Sequence, residues 1–271
     1  MINLLFCGNL KVFKGILLCC LSICKHTSEP LNVYILTADL SHINSNYKPI
    51  ANQNATLLEN ILQKTNKKSK VNLVKIGNYF EKWIFESKNK NNPYTPFAFL
   101  RLFADTVKLP NKILYLDTDI MACGNIKELF NTNITNLEFA VVKDHLGKFF
   151  IKHNYFNSGV MLMNLTKMKQ TNILEKARNI CQQKKMAFPD QSALNKLAKY
   201  ITFLPRKFNE QRNPKKDTIL QHFCKRIQWL PFPKTINIKP WQIEKVKTIY
   251  KINNYNEIFK DYLNIINNSN F

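Results

Sequence analysis

Two aspartates stand two residues apart in Lys112-Ile113-Leu114-Tyr115-Leu116-Asp117-Thr118-Asp119-Ile120, directly behind a short apolar run. An apolar run placed after Pro110 and Asn111 is the pattern of a strand covered on both faces of a parallel sheet. Strand side chains alternate, so the spacing predicts that Asp117 and Asp119 point to one side at the carboxyl end of that strand. Carboxylates held so close repel each other, and a hard divalent cation between them makes the arrangement favourable. His222 is the one histidine embedded in an apolar strand pattern, Thr218 to Phe223. It reads either as a core histidine with satisfied hydrogen bonds or as the third ligand. Two carboxylate oxygens and one imidazole, with positions left open, suit Mn²⁺ or Mg²⁺ holding a diphosphate. The chain has neither a Walker loop nor a GxGxxG fingerprint, so phosphates would fall to a metal and to basic side chains.

Such a pair needs a sheet to hold it. Asn3 to Cys7 reads as a first strand, Phe13 to Lys25 as a helix and Leu31 to Leu36 as a second strand, which together make a βαβ unit of a parallel sheet. A helix over Asn54 to Lys67 and a strand over Val71 to Ile76 extend it. The polar stretch from Gly77 to Pro96, with Trp83 and Phe85, predicts a lid or binding loop. Phe97 to Lys108 predicts a helix carrying Arg101. Further strands are expected at Phe139 to Val142, leading into Lys143-Asp144, and at Tyr155 to Asn164. Helices follow over Ile173 to Lys185 and from Pro189, the latter capped by Asp190, with a last one over Ile249 to Ile266. Ligands of open α/β sheets lie at the carboxyl ends of strands, which groups Asp117 and Asp119 with Asp144, Asn157 and Gly159.

The 271 residues, 45% hydrophobic and 21% charged, exclude wholesale disorder and allow one large α/β domain or a domain with an appendage. Forty Lys and Arg against eighteen Asp and Glu leave a net charge of +22, which favours anionic partners. Lys, Asn and Ile are abundant throughout, so a general compositional bias is the competing explanation. Seven cysteines without a CxxC pair predict free thiols in a reducing compartment and no zinc site. Lys11 and Lys14 precede the apolar run Ile16 to Cys24 in the manner of a leader. That run is shorter than the roughly 20 residues of a membrane span and lacks a small-residue cleavage site, so it reads as a core helix.

Five segments in order carry a family resemblance. Ala98-Phe99-Leu100-Arg101-Leu102, Leu114 to Asp119, Asn157-Ser158-Gly159-Val160, Pro189-Asp190-Gln191-Ser192-Ala193-Leu194-Asn195, and His222-Phe223-Cys224 with Lys239-Pro240-Trp241 resemble the motifs of glycosyltransferase family 8, the retaining galactosyl- and glucosyltransferases of bacterial lipopolysaccharide and related glycans. The resemblance spans roughly residues 3 to 241. It implies a GT-A fold: an α/β, Rossmann-like, mixed and mostly parallel sheet with helices on both faces, and a small basic and aromatic C-terminal extension. Residues 1–224 would form the nucleotide-sugar and catalytic domain. Residues 225–271 would close over phosphates; from their composition, Arg226, Trp229, Phe232, Lys234 and Trp241 read either as a dock for an anionic membrane or as aromatics that cap the core beside solvated lysines.

By the same resemblance, Asp117, Asp119 and His222 would bind Mn²⁺, with Mg²⁺ as the alternative. Cys7, Asn9 and Thr118 would lie along the nucleoside of a UDP-sugar, and Arg101, Asn157 and Asp190 along the donor sugar and diphosphate. Lys239 or Lys225 would contact phosphates, and Asp144 the acceptor or the donor sugar. Gln191 would sit beside the anomeric carbon in a front-face transfer, with a glycosyl intermediate on Asp190 as the alternative. A hexose would pass to a glycan or glycolipid acceptor in cell-surface polysaccharide synthesis, in the cytoplasm or peripherally on the inner membrane face. The chain departs from the family in having Gly8-Asn9-Leu10-Lys11 where an acidic pair followed by Asn-Tyr is usual, and in a longer spacing from His222 to Lys239. Two rivals remain. A haloacid-dehalogenase-type phosphatase also has Asp-x-Asp behind an apolar strand, but Met121 stands where that motif has Thr or Val. A basic nucleic-acid-binding protein would use the charge, but no nucleic-acid-binding motif accompanies it, so no nucleic acid is expected.

Overall fold

The computed structural model describes residues 1–90, 92, 96–228 and 232–268. Strand β1 (Ile2–Cys7) lacks a polar face because both its faces are covered: Ile2, Leu4 and Phe6 enter one apolar cluster, Leu5 and Cys7 another. The same division holds in the central strands. The further strands are β2 (Leu31–Thr37), β3 (Lys70–Lys75), β4 (Lys112–Leu116), β5 (Ile120–Ala122), β6 (Phe139–Lys143), β7 (Phe156–Asn164), β8 (Ile201–Phe203), β9 (Leu220–His222), β10 (Arg226–Gln228) and β11 (Lys234–Ile236). The helices are α1 (Phe13–His26), α2 (Asn52–Thr65), α3 (Asn78–Glu86), α4 (Lys127–Asn131), α5 (Gly147–Phe150), α6 (Leu165–Thr171), α7 (Ile173–Gln183), α8 (Pro189–Leu197), α9 (Ile243–Thr248) and α10 (Asn256–Asn267).

The main sheet has the order β3-β2-β1-β4-β7-β6-β8. β1 to β4 run parallel, β7 runs against both β4 and β6, and β8 is parallel to β6. On one face α1, α2, α9 and α10 bury Ile16, Leu58, Val246 and Phe259 in the cluster that also holds Leu4 and Leu114; on the other, α3, α7 and α8 bury Trp83, Ala177 and Leu194. The expected mixed, mostly parallel α/β sheet with helices on both faces is therefore present. α1 is the expected core helix, with Leu17, Leu18, Cys19 and Cys20 fully buried. No helix among the described residues is long and apolar enough to cross a membrane.

Four local expectations are corrected. The Gly77 to Pro96 stretch is not a lid over its described part, because Phe80, Trp83 and Ile84 lie three and four apart on α3 and pack into an aromatic cluster with Phe99 and Phe103. The helix expected over Phe97 to Lys108 is a 3₁₀ helix at Pro96–Phe103, buried all round and followed by Asp105, which pairs with Arg178 at 2.5 Å. The last helix, expected over Ile249 to Ile266, starts only at Asn256 as α10, because the chain is irregular after the separate short helix α9 and Lys251 takes φ 55°. Asp190 does not cap α8, whose N-cap is Phe188; its carboxylate faces Arg101 instead.

Candidate active site and metal centre

β4 ends at Leu116, so Asp117, Thr118 and Asp119 form a turn before β5. The two carboxylates do converge, but through this turn and not through strand alternation. The backbone N–H of Asp117 donates to the Gly159 carbonyl of β7 at 2.8 Å, and that of Ile120 to the Asp117 carbonyl at 3.3 Å. β5 then pairs antiparallel with β9, opposing Ile120 to His222, and the Phe223 N–H donates to the Asp119 carbonyl at 2.9 Å. This pairing brings in a histidine more than a hundred positions away. His222 Nε2 lies 3.1 Å from Asp119 Oδ1 and 3.7 Å from Asp117 Oδ2. One ligand atom from each of Asp117, Asp119 and His222 falls within 4.8 Å of the others.

Two close approaches shape this cradle. A Cβ on Gly159 would stand 2.3 Å from His222 Cε1 and 2.8 Å from Asp117 Oδ2, so only glycine leaves the space open. A Cβ on Gly15 of α1 would stand 2.1 Å from the Thr118 carbonyl oxygen and 2.6 Å from the Trp241 ring, so glycine lets α1 press against the turn. The donor set is a hard cation's: two carboxylates and an imidazole, with neutralising cations on either flank. These residues fit a divalent metal.

Arg101 holds the near side. Its guanidinium is buried, donates to Asp117 Oδ1 at 2.8 Å and to the Ser158 carbonyl at 2.7 Å, and pairs through Nε with Asp190 Oδ2 at 3.1 Å. It also stacks 4.4 Å from the centre of the Tyr115 ring, whose hydroxyl donates to Asp117 Oδ1 at 2.5 Å. Burial works against its charge, but Asp117, Tyr115 and Asp190 keep it firmly a cation. Burial pushes the Asp190 carboxyl up; Arg101 draws it back and Asp117 adds to the rise. On the far side Lys239 Nζ sits 2.5 Å from Asp119 Oδ2. Burial alone would raise the Asp119 carboxyl, yet Lys239 and His222 hold it well below the usual carboxylate range.

A hydrogen-bonded chain runs from the histidine across the floor. His222 Nδ1 donates to Asn209 Oδ1 at 3.2 Å, Asn209 Nδ2 donates to Asn157 Oδ1 at 3.0 Å, and Asn157 Nδ2 donates to Asp144 Oδ2 at 3.0 Å. Gln191 is held by the N–H of Ser158, which donates to its Oε1 at 3.0 Å, while its Nε2 lies 3.5 Å from Asp144 Oδ2. The structure thus joins Arg101, Asp117, Asp119, Asp144, Asn157, Asp190, Gln191, His222 and Lys239 in one network. Thr118 is in the turn and Cys7 is buried beside it, its thiol pushed up by burial. Asn9 instead donates to the Asn46 carbonyl at 3.1 Å, and Lys225 is exposed outside the network. Sequence reasoning missed Tyr115, Ser158 and Asn209. The first two stand within motifs already quoted; Asn209, in an irregular basic stretch, carried no signal. Of the aromatic residues expected to dock on a membrane, Phe232 is 79% exposed, Trp241 packs beside Gly15, and Trp229 lies outside the described residues.

The chain is 33% identical over 172 residues, 56% of its length and 51% of the relative's, to a lipopolysaccharide 1,2-glucosyltransferase of Escherichia coli K12. It spans about half the length of the curated relatives it matches. Among solved structures, an active-site mutant of LgtC aligns over 96% of both chains with a TM-score of 0.71 and 14% identity. GlyE of Streptococcus pneumoniae aligns over 97% of this chain and 64% of its own with a TM-score of 0.64 and 19% identity. These likenesses establish the fold, the GT-A fold of glycosyltransferases. The family description "glycosyl transferase family 8" matches residues 3–245, nearly the whole chain, which sets aside a dehalogenase-type phosphatase; the chain belongs to glycosyl transferase family 8.

Proposed function

We propose that the chain transfers a hexose, glucose or galactose, from a UDP-sugar to a glycan or glycolipid acceptor of cell-surface polysaccharide, with retention at the anomeric carbon and dependence on Mn²⁺. The observation that carries the reading is the convergence of Asp117, Asp119 and His222 between two cations, Arg101 and Lys239. A divalent cation bound by the three would offset the charge that gathers on a departing nucleoside diphosphate. Lys239, already against Asp119, is the cation within reach of those phosphates, and its position favours it over Lys225. Arg101 and Asp190 form a fixed pair that orients donor-sugar hydroxyls, and Asn157 adds an amide beside them.

Gln191 is a poor nucleophile and is locked by Ser158, which supports a front-face transfer in which the leaving phosphate helps take the acceptor proton. Asp190 is buried and committed to Arg101, which weighs against a glycosyl intermediate on it. Asp144 accepts from Asn157 and faces Gln191, the position from which it would orient an acceptor hydroxyl. In this reading residues 1–224 hold donor and metal, and residues 225–271 contribute Lys239 as the closing group. The enzyme works on the cytoplasmic side, where nucleotide sugars are supplied.

The test is donor hydrolysis and transfer across UDP-sugars with Mn²⁺ present or chelated. Asp117→Asn and Asp119→Asn are each expected to lower turnover at least about a hundredfold while circular dichroism stays unchanged. Metal-independent turnover, or no turnover of any UDP-sugar, would overturn the proposal.

A further inference from the structure

Beyond the network, the most unusual surface lies on α5 and the turn after it. Phe149, Phe150 and Ile151 are consecutive and 71%, 69% and 56% exposed. Three adjacent large apolar side chains in solvent are costly unless something covers them. The segment is not loose. Asp144 Oδ1 accepts from the N–H groups of Leu146 at 3.1 Å and Gly147 at 2.7 Å, the Gly147 carbonyl accepts from Ile151 at 2.8 Å and Lys152 at 3.1 Å, and Tyr155 donates back to the Lys152 carbonyl at 2.7 Å. The apolar tip is therefore presented by a built turn, anchored on Asp144.

Cations surround the tip. Lys148 and Lys152 flank it in sequence, and Lys148 Nζ stands 4.8 Å from the centre of the Phe149 ring. Beside it a cleft is lined by Lys143, His145, Lys148, Phe203, Arg206 and Gln211. Burial, with the positive field of Arg206, Arg212 and Lys148 added, pushes the His145 imidazole toward its neutral form. The acidic groups nearest to it are committed, Asp144 to the N–H groups of the turn and Glu210 to Arg206 at 2.5 Å. A second copy of the chain is a poor occupant, since each copy carries +22. Aromatic and aliphatic side chains at the tip, with lysines one position behind and an anion-attracting cleft at the collar, match the division of a bilayer surface into acyl chains and phosphates.

We infer that α5 is a membrane-docking tip, in which Phe149, Phe150 and Ile151 insert at the surface of an anionic bilayer and Lys148, Lys152 and the Lys143–Arg206 cleft engage lipid phosphates. Because Asp144 anchors this helix with one carboxylate oxygen and meets Asn157 and Gln191 with the other, docking sets the bilayer one helical turn from the acceptor side of the site. Docking rests on the surface alone; its meaning for a membrane-borne acceptor rests on the proposed transfer reaction. The C-terminal segment with Phe232 is then a secondary contact.

The experiment is sedimentation of the full chain with vesicles of phosphatidylethanolamine and phosphatidylglycerol, against phosphatidylcholine alone. The chain is expected to bind the anionic vesicles, and Phe149→Ser with Phe150→Ser and Ile151→Ser to weaken binding on the order of a hundredfold. Lys148→Glu with Lys152→Glu, which leaves the apolar tip untouched, is expected to abolish the preference for anionic lipid. Both variants should keep the wild-type melting temperature and the wild-type rate of UDP-sugar hydrolysis. Should the serine variant misfold, the charge reversal decides the matter alone. The inference is overturned if the wild-type chain ignores anionic vesicles, if both variants bind as it does, if Phe232→Ser alone removes binding, or if the serine variant instead turns a dimer into a monomer. Vesicle binding without any sugar-nucleotide turnover would keep the docking tip and discard the reaction; turnover without vesicle binding would do the reverse.

Discussion

Asn209 decides how His222 is presented. Its side-chain oxygen can only accept, so Nδ1 keeps a proton and Nε2 is the nitrogen that faces Asp117 and Asp119 and would offer its lone pair to a metal. The orientation of Asn209 is fixed in turn, because its Nδ2 donates to Asn157 Oδ1, which also accepts from the Gly159 N–H at 3.0 Å. A residue that fixes the tautomer of a metal-ligating histidine shapes the affinity without touching the metal. Asn209→Ala is expected to weaken Mn²⁺ binding about 10- to 100-fold, read by the electron paramagnetic resonance of free Mn²⁺. Asn209→Asp keeps an acceptor for Nδ1 and should recover part of the loss. Equal affinity in all three proteins would remove Asn209 from any positioning role.

At the scale of elements, α3 makes a sharper claim than its polar sequence suggests. Trp83 packs edge-on against Phe99 and Phe103 at centroid separations of 5.2 and 5.3 Å, next to the 3₁₀ helix that carries Arg101. Its indole N–H is buried without a hydrogen-bond partner among the described residues. Trp83→Ala should therefore cost about 3–5 kcal/mol in denaturant unfolding, while Trp83→Phe removes the unpaired donor and should cost less than half as much. Equal losses would mean that the N–H is satisfied in solution. The i, i+3, i+4 spacing of Phe80, Trp83 and Ile84 was present in the sequence, but the surrounding lysines and asparagines obscured it. Where apolar runs were continuous, as in β1, β2, β4 and β7, the elements were legible because burial on both faces leaves no other pattern. The grouping of Asp117, Asp119 and His222 was legible from residue types and order. Its geometry was not, since the β5–β9 pairing and the turn at Thr118 are tertiary facts with no local signature. The same holds for α5: that Phe149, Phe150 and Ile151 stand in solvent has no local signature either.

At the scale of the whole molecule, one excess of charge has two opposed effects. Forty cationic side chains stand against eighteen anionic ones, and several of the latter are committed to single partners: Asp105 to Arg178, Glu128 to Lys207, Glu257 to Lys25. Few lysines therefore have a carboxylate partner among the described residues, and the repulsion within that surplus acts against the compact state. Pairs such as Lys25 with Glu257 are exposed and contribute little, so screening them loses little. Added salt shortens the reach of charge to about 10 Å at 0.1 M, which relieves long-range repulsion before it weakens close ion pairs. The melting temperature should thus rise by a few degrees, roughly 2–4 °C per kcal/mol of repulsion relieved, as NaCl is increased from about 20 to about 300 mM. Over the same range, attraction to anionic vesicles should fall, because the charge that the salt screens is the charge that the lipid attracts. Differential scanning fluorimetry and sedimentation on one sample series read both slopes. Opposite signs fit a surplus of unpaired surface charge; a melting temperature that falls with salt would mean that the ion pairs outweigh the repulsion and that the lysines are placed for stability.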